Sequence, residues 1–214
     1  MTDLSADGIG GGTPSGEKKP HKFRIRYNAP VTLTFALVSL SVLGLGYVTN
    51  GWTTENLFSV YRSKFSFFWI IRLFGHTLGH ANMTHFFSNM TLFLLLGPVL
   101  EEKYGSKNLL EMIGISAVIA SIFQMIFFSN TMLLGASGIV FMMIILTSAV
   151  NMKEGGIPLS MILVILIYLG SEIWDAFTVK DSISHLTHIL GGICGAVFGF
   201  LYAKDPKLKD SMSA

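Results

Sequence analysis

The sequence predicts an all-α, polytopic membrane protein built as a bundle of six transmembrane helices. Three observations carry this reading. Only 13% of the 214 residues are charged, against about a quarter in a typical soluble domain. The mean hydropathy is +0.58. Several apolar runs approach the roughly 20 residues that cross the hydrocarbon of a bilayer. The net charge of +2 is too small to indicate a nucleic-acid partner. Cys194 is the single cysteine, so no internal disulfide staples the fold.

Residues 1–27 read as a disordered cytoplasmic tail, because they are rich in Gly, Ser and Asp and lack an apolar run. Lys18, Lys19, His21, Lys22, Arg24 and Arg26 form a basic collar at its end. The first span covers residues 31–48, with Pro30 suited to the first helical turn. Residues 50–82 form a long connection. Its stretch 57–74 mixes aromatics with Arg62, Lys64 and Arg72, a composition that suits a segment lying in the membrane interface. The second span covers 83–100 and ends at Glu101 and Glu102. The third covers 109–128, the fourth 134–150, the fifth 158–174 and the sixth 183–202. Residues 28–203 therefore form one six-helix domain, and 204–214 form a short Lys-bearing cytoplasmic tail.

Six spans place both termini on one side. The Lys-rich tails and the short loops at 101–108 and 151–157 share that side, which the positive-inside rule assigns to the cytoplasm. The small core without a transit peptide points to a bacterial plasma membrane.

With that topology, His85, Asn89, Ser137 and His188 all fall within about 10 Å of the outer surface, at 1.5 Å of rise per residue. Polar and ionisable residues inside a membrane are costly and usually face a bundle interior or a cavity. One shared depth is what a single assembled site requires. Ser137 sits in Leu133-Leu134-Gly135-Ala136-Ser137-Gly138-Ile139-Val140-Phe141, a small serine between glycines. A serine nucleophile needs an adjacent base, and the imidazole of His188 titrates near neutrality. Spans four and six contain no Asp or Glu, which favours a Ser–His dyad. Asp175 and Asp181 in the preceding loop are the carboxylates available to orient a histidine. A tetrahedral intermediate needs donors aimed at its oxygen. Asn89 offers an amide on the face it shares with His85. The backbone N–H groups of Ser137 and Gly138 stand at a helix start, where such groups are unpaired. Gly191, Gly195 and Gly199 repeat every four residues in line with His188, a stripe that lets two helices approach closely.

At these residues the chain resembles the rhomboid family of intramembrane serine proteases. Gly135-Ala136-Ser137-Gly138 resembles the family's Gly-x-Ser-Gly segment, and His85 to Asn89 its His-x-x-x-Asn element. His188, Gly191 and Gly195 resemble the histidine and glycines of its sixth span. Trp69 and Arg72 resemble its first-loop Trp–Arg pair, with two residues inserted, and Glu101 with Gly105 the end of its second span. The resemblance spans residues 30–203 and implies Ser137 as nucleophile and His188 as general base. It implies Asn89, His85 and the Ser137 amide as the oxyanion site, and gives His80 no defined role. It implies substrates that are single-span membrane proteins, cut near their outer ends at small residues in weakly helical stretches, without a cofactor or metal. Phe141 stands where the family often has a tyrosine, keeping the ring but not the hydroxyl. His185, one turn before His188, is passed over because His188 aligns with the glycine stripe.

Two other readings compete. A metal-binding membrane protein would use His76, His80, His85, His185 and His188, but the His-Glu-x-x-His signature is absent and Ser137 and Asn89 would go unexplained. A catalytically inactive relative that binds membrane clients would be expected to have lost Ser137 or His188, and both remain. Substrate identity and oligomeric state are not written in the sequence.

Overall fold

The computed structural model describes residues 27–149, 159–164, 166–167 and 182–203. The helices are α1 (Pro30–Val48), α2 (Trp52–Asn56), α3 (Phe67–Gly75), α4 (Met83–Tyr104), α5 (Ser106–Phe127), α6 (Ser137–Ala149), α7 (Leu159–Val164) and α8 (Ser182–Ala203). Within these residues, α1, α4, α5 and the 185–202 stretch of α8 are long and apolar enough to cross a membrane, and α6 is a shorter apolar helix. Of the expected fifth span, only α7 and residues 166–167 are described, and the rest of 158–174 lies outside the described residues. Both tails, the loop at 151–157 and the loop carrying Asp175 and Asp181 lie outside the described residues.

Two expected boundaries are corrected. The second span does not end at residue 100, and no loop occupies 101–108. Helix α4 continues through Glu101 to Tyr104, and Gly105 alone, at φ +81°, turns the chain into α5. The reason is a tertiary cap. Helix α1 starts at Ala29-Pro30 with no side-chain cap of its own. The buried Glu101 carboxylate accepts from the N–H groups of Val31 and Thr32, each at 2.9 Å, and from the Thr32 hydroxyl at 2.8 Å. Ser106 Oγ donates to it from α5 at 2.7 Å. An anion at a helix start satisfies orphan N–H groups and meets the positive end of the dipole.

The fourth span begins at Ser137, not Leu134. Leu133 is instead drawn into an antiparallel bridge with Val60, with two backbone hydrogen bonds of 2.9 Å. The core runs down the middle of the bundle. Phe93, Leu100, Leu109, Met142, Met143 and Leu146 are fully enclosed, and Phe35 of α1 stacks on Phe93 of α4.

The long connection between α1 and α4 suits the interface in an unexpected way. Phe65, Phe67, Phe68, Ile70 and Phe74 are exposed, whereas Arg72 is buried. Arg72 donates to Asn56 O at 2.7 Å and to Ser63 Oγ at 3.2 Å, and its guanidinium lies over the Tyr61 ring. The cation faces protein and the aromatics face outward, where a ring belt suits the headgroup region.

Candidate active site

The segment leading to Ser137 is held on three sides. Leu133 pairs with Val60, and the Gly135 N–H donates to His76 O at 2.8 Å. Gly135 has φ +120°. A Cβ there would stand 2.7 Å from His85 Nε2 and 3.5 Å from Asn89 Nδ2. Backbone conformation and crowding both demand glycine at this point. The chain then enters α6, whose first ladder bond runs from Val140 N–H to Ala136 O. The N–H groups of Ser137 and Gly138 precede that bond and belong to the unpaired first turn. Ser137 is the half-buried first residue of α6.

Helices α6 and α8 form the most extensive contact in the bundle. The glycine stripe is its seam. A Cβ on Gly191 would lie 2.0 Å from Gly138 O, one on Gly195 2.3 Å from Met142 O, and one on Gly199 2.7 Å from Ala149 Cβ. The backbones are therefore in direct contact at Gly191 and Gly195, and at Gly199 the backbone meets the small Ala149 side chain. Ser137 precedes Gly138 on one side of this seam, and His188 precedes Gly191 by one turn on the other. The Phe141 ring stacks on the His188 imidazole, with centroids 4.3 Å apart and planes 5° from parallel. His185 lies edge-on to His188 at 6.3 Å. The side chain of Thr187, the residue before His188, approaches Gly138.

Helix α4 adds the third wall. Its N-cap Asn82 accepts the His85 N–H at 2.9 Å, which fixes the first turn. His85 is half-buried, with its ring against Gly135. One turn further, Asn89 is 6% exposed and its Nδ2 has no hydrogen-bond partner. A buried amide donor without an acceptor costs free energy in the resting fold. Beside an unpaired helix start it is a donor available to an incoming oxygen.

The arrangement thus gathers Ser137, Gly138, His188, His85 and Asn89 around one junction of α4, α6 and α8. Sequence reasoning named His76 only among the five histidines of the competing metal-binding reading, with no part in the serine site. His76 lies 2% exposed beneath the serine segment. Its ring Nδ1 is 3.1 Å from Arg72 O and 3.2 Å from Ser121 Oγ, while its carbonyl holds Gly135. Its signal in the sequence was only its place four residues after Arg72, and a backbone carbonyl contact leaves no trace in side-chain chemistry. Among the described residues, no three His, Cys, Asp or Glu side chains converge as a metal site.

Comparison with known proteins agrees with this architecture. Residues 68–205 match the family model described as Rhomboid domain. The chain is 28% identical over 131 residues to Rhomboid-related protein 1 of Caenorhabditis elegans, an alignment covering 57% of this chain and 37% of that protein. The chain thus spans well under half of the relative's length.

Proposed function

The chain belongs to the rhomboid family, and from that premise we propose that it is an intramembrane serine endopeptidase that cleaves transmembrane segments of single-span membrane proteins. Ser137 is the nucleophile and His188 the general base, acting as a dyad. His188 takes the hydroxyl proton as the serine oxygen attacks the scissile carbonyl, then passes it to the leaving amine. Water deacylates the enzyme by the same route in reverse roles. The developing oxyanion is met by Asn89 Nδ2, by the His85 ring, and by the first-turn N–H groups of Ser137 and Gly138. No cofactor enters the scheme. The enzyme sits in a bacterial plasma membrane with both termini in the cytoplasm, in contact with lipid on its apolar faces.

One observation carries the reading: the stacked Phe141–His188 pair stands at the glycine seam that joins Ser137's helix to His188's. A histidine retained only for packing has no need of a parallel aromatic and a serine at an open helix start beside the same contact.

The test is labelling of the detergent-purified chain with a fluorophosphonate, alongside cleavage of a single-span reporter. Labelling and cleavage are expected in the wild type and lost in both Ser137→Ala and His188→Ala. Cleavage that persists in Ser137→Ala removes the serine mechanism. A folded wild type that neither labels nor cleaves points to a client-binding relative without activity.

A further inference from the structure

Residues 128–136 join α5 to α6 and deliver the chain to Ser137. They are held by a series of contacts. Nearest the serine, the Gly135 N–H donates to His76 O at 2.8 Å. Leu133 exchanges two backbone hydrogen bonds of 2.9 Å with Val60. Gln124, 1% exposed, donates from Nε2 to the Thr131 carbonyl at 3.1 Å and to the Thr131 hydroxyl at 3.0 Å. The far end of the segment is the C-terminus of α5, and that end is held by Arg62.

The last four carbonyls of an α-helix have no intrahelical partner. In α5 the Gln124 carbonyl is met by the Phe128 N–H at 3.0 Å. The next two carbonyls take their donors from the connection between α1 and α4. Arg62 Nε donates to Met125 O at 2.6 Å, and Nη2 of the same guanidinium donates to Ile126 O. Nε and Nη2 lie along one edge of a rigid plane. One side chain thus reaches two successive carbonyls at a fixed spacing, which a lysine ammonium does not reproduce. The charge also meets the negative end of the α5 dipole.

Arg62 follows Val60 by two residues. One short piece of the first loop therefore grips the chain twice, with a side-chain fork at Met125 and Ile126 and a backbone bridge at Leu133. Without the fork, the end of α5 is free to shift, and Leu133 and Gly135 are left to hold the approach to Ser137. Arg62 is itself exposed, so its removal takes no packing from the core.

We propose that Arg62 is a positioning residue for Ser137: its fork on the end of α5 sets the path of residues 128–136, and with it the place at which α6 begins. The consequence for the reaction rests on the protease reading. The hold on the segment does not, and it is measured without any chemistry at the serine.

The experiment uses the full chain in detergent as wild type, Arg62→Ala, Arg62→Lys and Lys64→Ala, the last removing a neighbouring exposed cation of the same loop. Amide hydrogen exchange is followed in peptides covering 128–136 and, as the reference, α1. In Arg62→Ala the 128–136 peptides should exchange about 10-fold faster while α1 keeps its wild-type rate, the mark of local rather than global opening. Arg62→Lys should fall between, and Lys64→Ala should match the wild type. The rate at which a fluorophosphonate labels Ser137 should fall several-fold in the same order, and reporter cleavage should lose kcat with KM unchanged. Wild-type exchange at 128–136 in Arg62→Ala overturns the proposal. So does acceleration that extends equally to α1, which marks a general loss of fold, or a loosened segment whose serine labels at the wild-type rate. A wild type that never labels removes the protease reading instead, and the exchange pattern alone then decides whether Arg62 holds the segment.

Discussion

The phenyl ring of Phe141 lies flat on the imidazole of His188, 4.3 Å between centroids. Phe141 is one turn after Ser137 on α6, so a single helical face presents both the hydroxyl and the ring that stacks on His188, the base in the proposed dyad. Stacking of this kind is worth about 0.5–1.5 kcal/mol, enough to hold one rotamer of the imidazole. Phe141→Leu should therefore slow turnover roughly 10-fold with little change in KM, and Phe141→Tyr should keep near-wild-type rates. Steady-state cleavage of a single-span reporter checks both. A Leu variant as fast as wild type would show that the ring does not position the base.

The α6–α8 seam makes a sharper structural prediction. At Gly191 a new Cβ meets the backbone of Gly138, which cannot swing aside as a side chain would. Gly191→Ala should cost about 1–3 kcal/mol or more through overpacking, and should also displace His188 from Ser137. Gly44 in α1 is the control, because a Cβ there meets nothing within 4 Å. Thermal unfolding in detergent should show a large drop for Gly191→Ala and none for Gly44→Ala. Equal behaviour of the two would contradict the close contact.

Much of this frame was legible in the chain. Hydropathy located α1, α4, α5 and α8 because a lipid-facing helix advertises itself residue by residue. The glycine period marked the α6–α8 contact because close backbones exclude every other side chain. What escaped depended on partners far away in sequence. Leu133 and Leu134 are as apolar as the helix that follows, and only the Val60 bridge, with Gly135 at positive φ, excludes them from it. Glu101 read as the polar end of a span, yet its ligands Val31 and Thr32 lie about 70 residues upstream. Arg72 read as an interfacial cation, but Asn56 O and Tyr61 pull it inward.

Asn89 is where the proposed oxyanion role can be told apart from a structural one. Its Nδ2 is buried and unpartnered in the resting protein. Removing such a donor relieves a desolvation cost and breaks no internal hydrogen bond of that atom. Asn89→Ala should thus leave the melting temperature close to wild type while lowering turnover by about 10²-fold or more, the usual loss for one oxyanion donor. The decisive pattern is dissociation of the two readouts. A fall in melting temperature that tracks the fall in rate would mark Asn89 as a structural residue.

His76 gives the first loop a pH dependence. Burial lowers its pKa from the ordinary 6.5 to about 4, despite hydrogen bonds to the Arg72 and Leu73 carbonyls that favour the charged ring. In the unfolded chain the ring takes its proton near 6.5, whereas in the folded chain it stays neutral until about pH 4. The unfolded state therefore binds more protons between these values, and stability falls as pH drops through that window. It is fully present above about 6.5 and levels off below about 4. At about 1.4 kcal/mol per pH unit, the gap corresponds to an order of 3 kcal/mol from this one ring. His76→Asn keeps a donor for the Arg72 carbonyl and removes the titration. Melting temperatures in detergent should diverge with pH: the wild type should lose stability between pH 6.5 and 4.5 more steeply than His76→Asn. Because the His76 carbonyl holds Gly135, acid should also loosen the segment before Ser137. Parallel pH profiles for the two proteins would show that His76 is not held neutral in the fold.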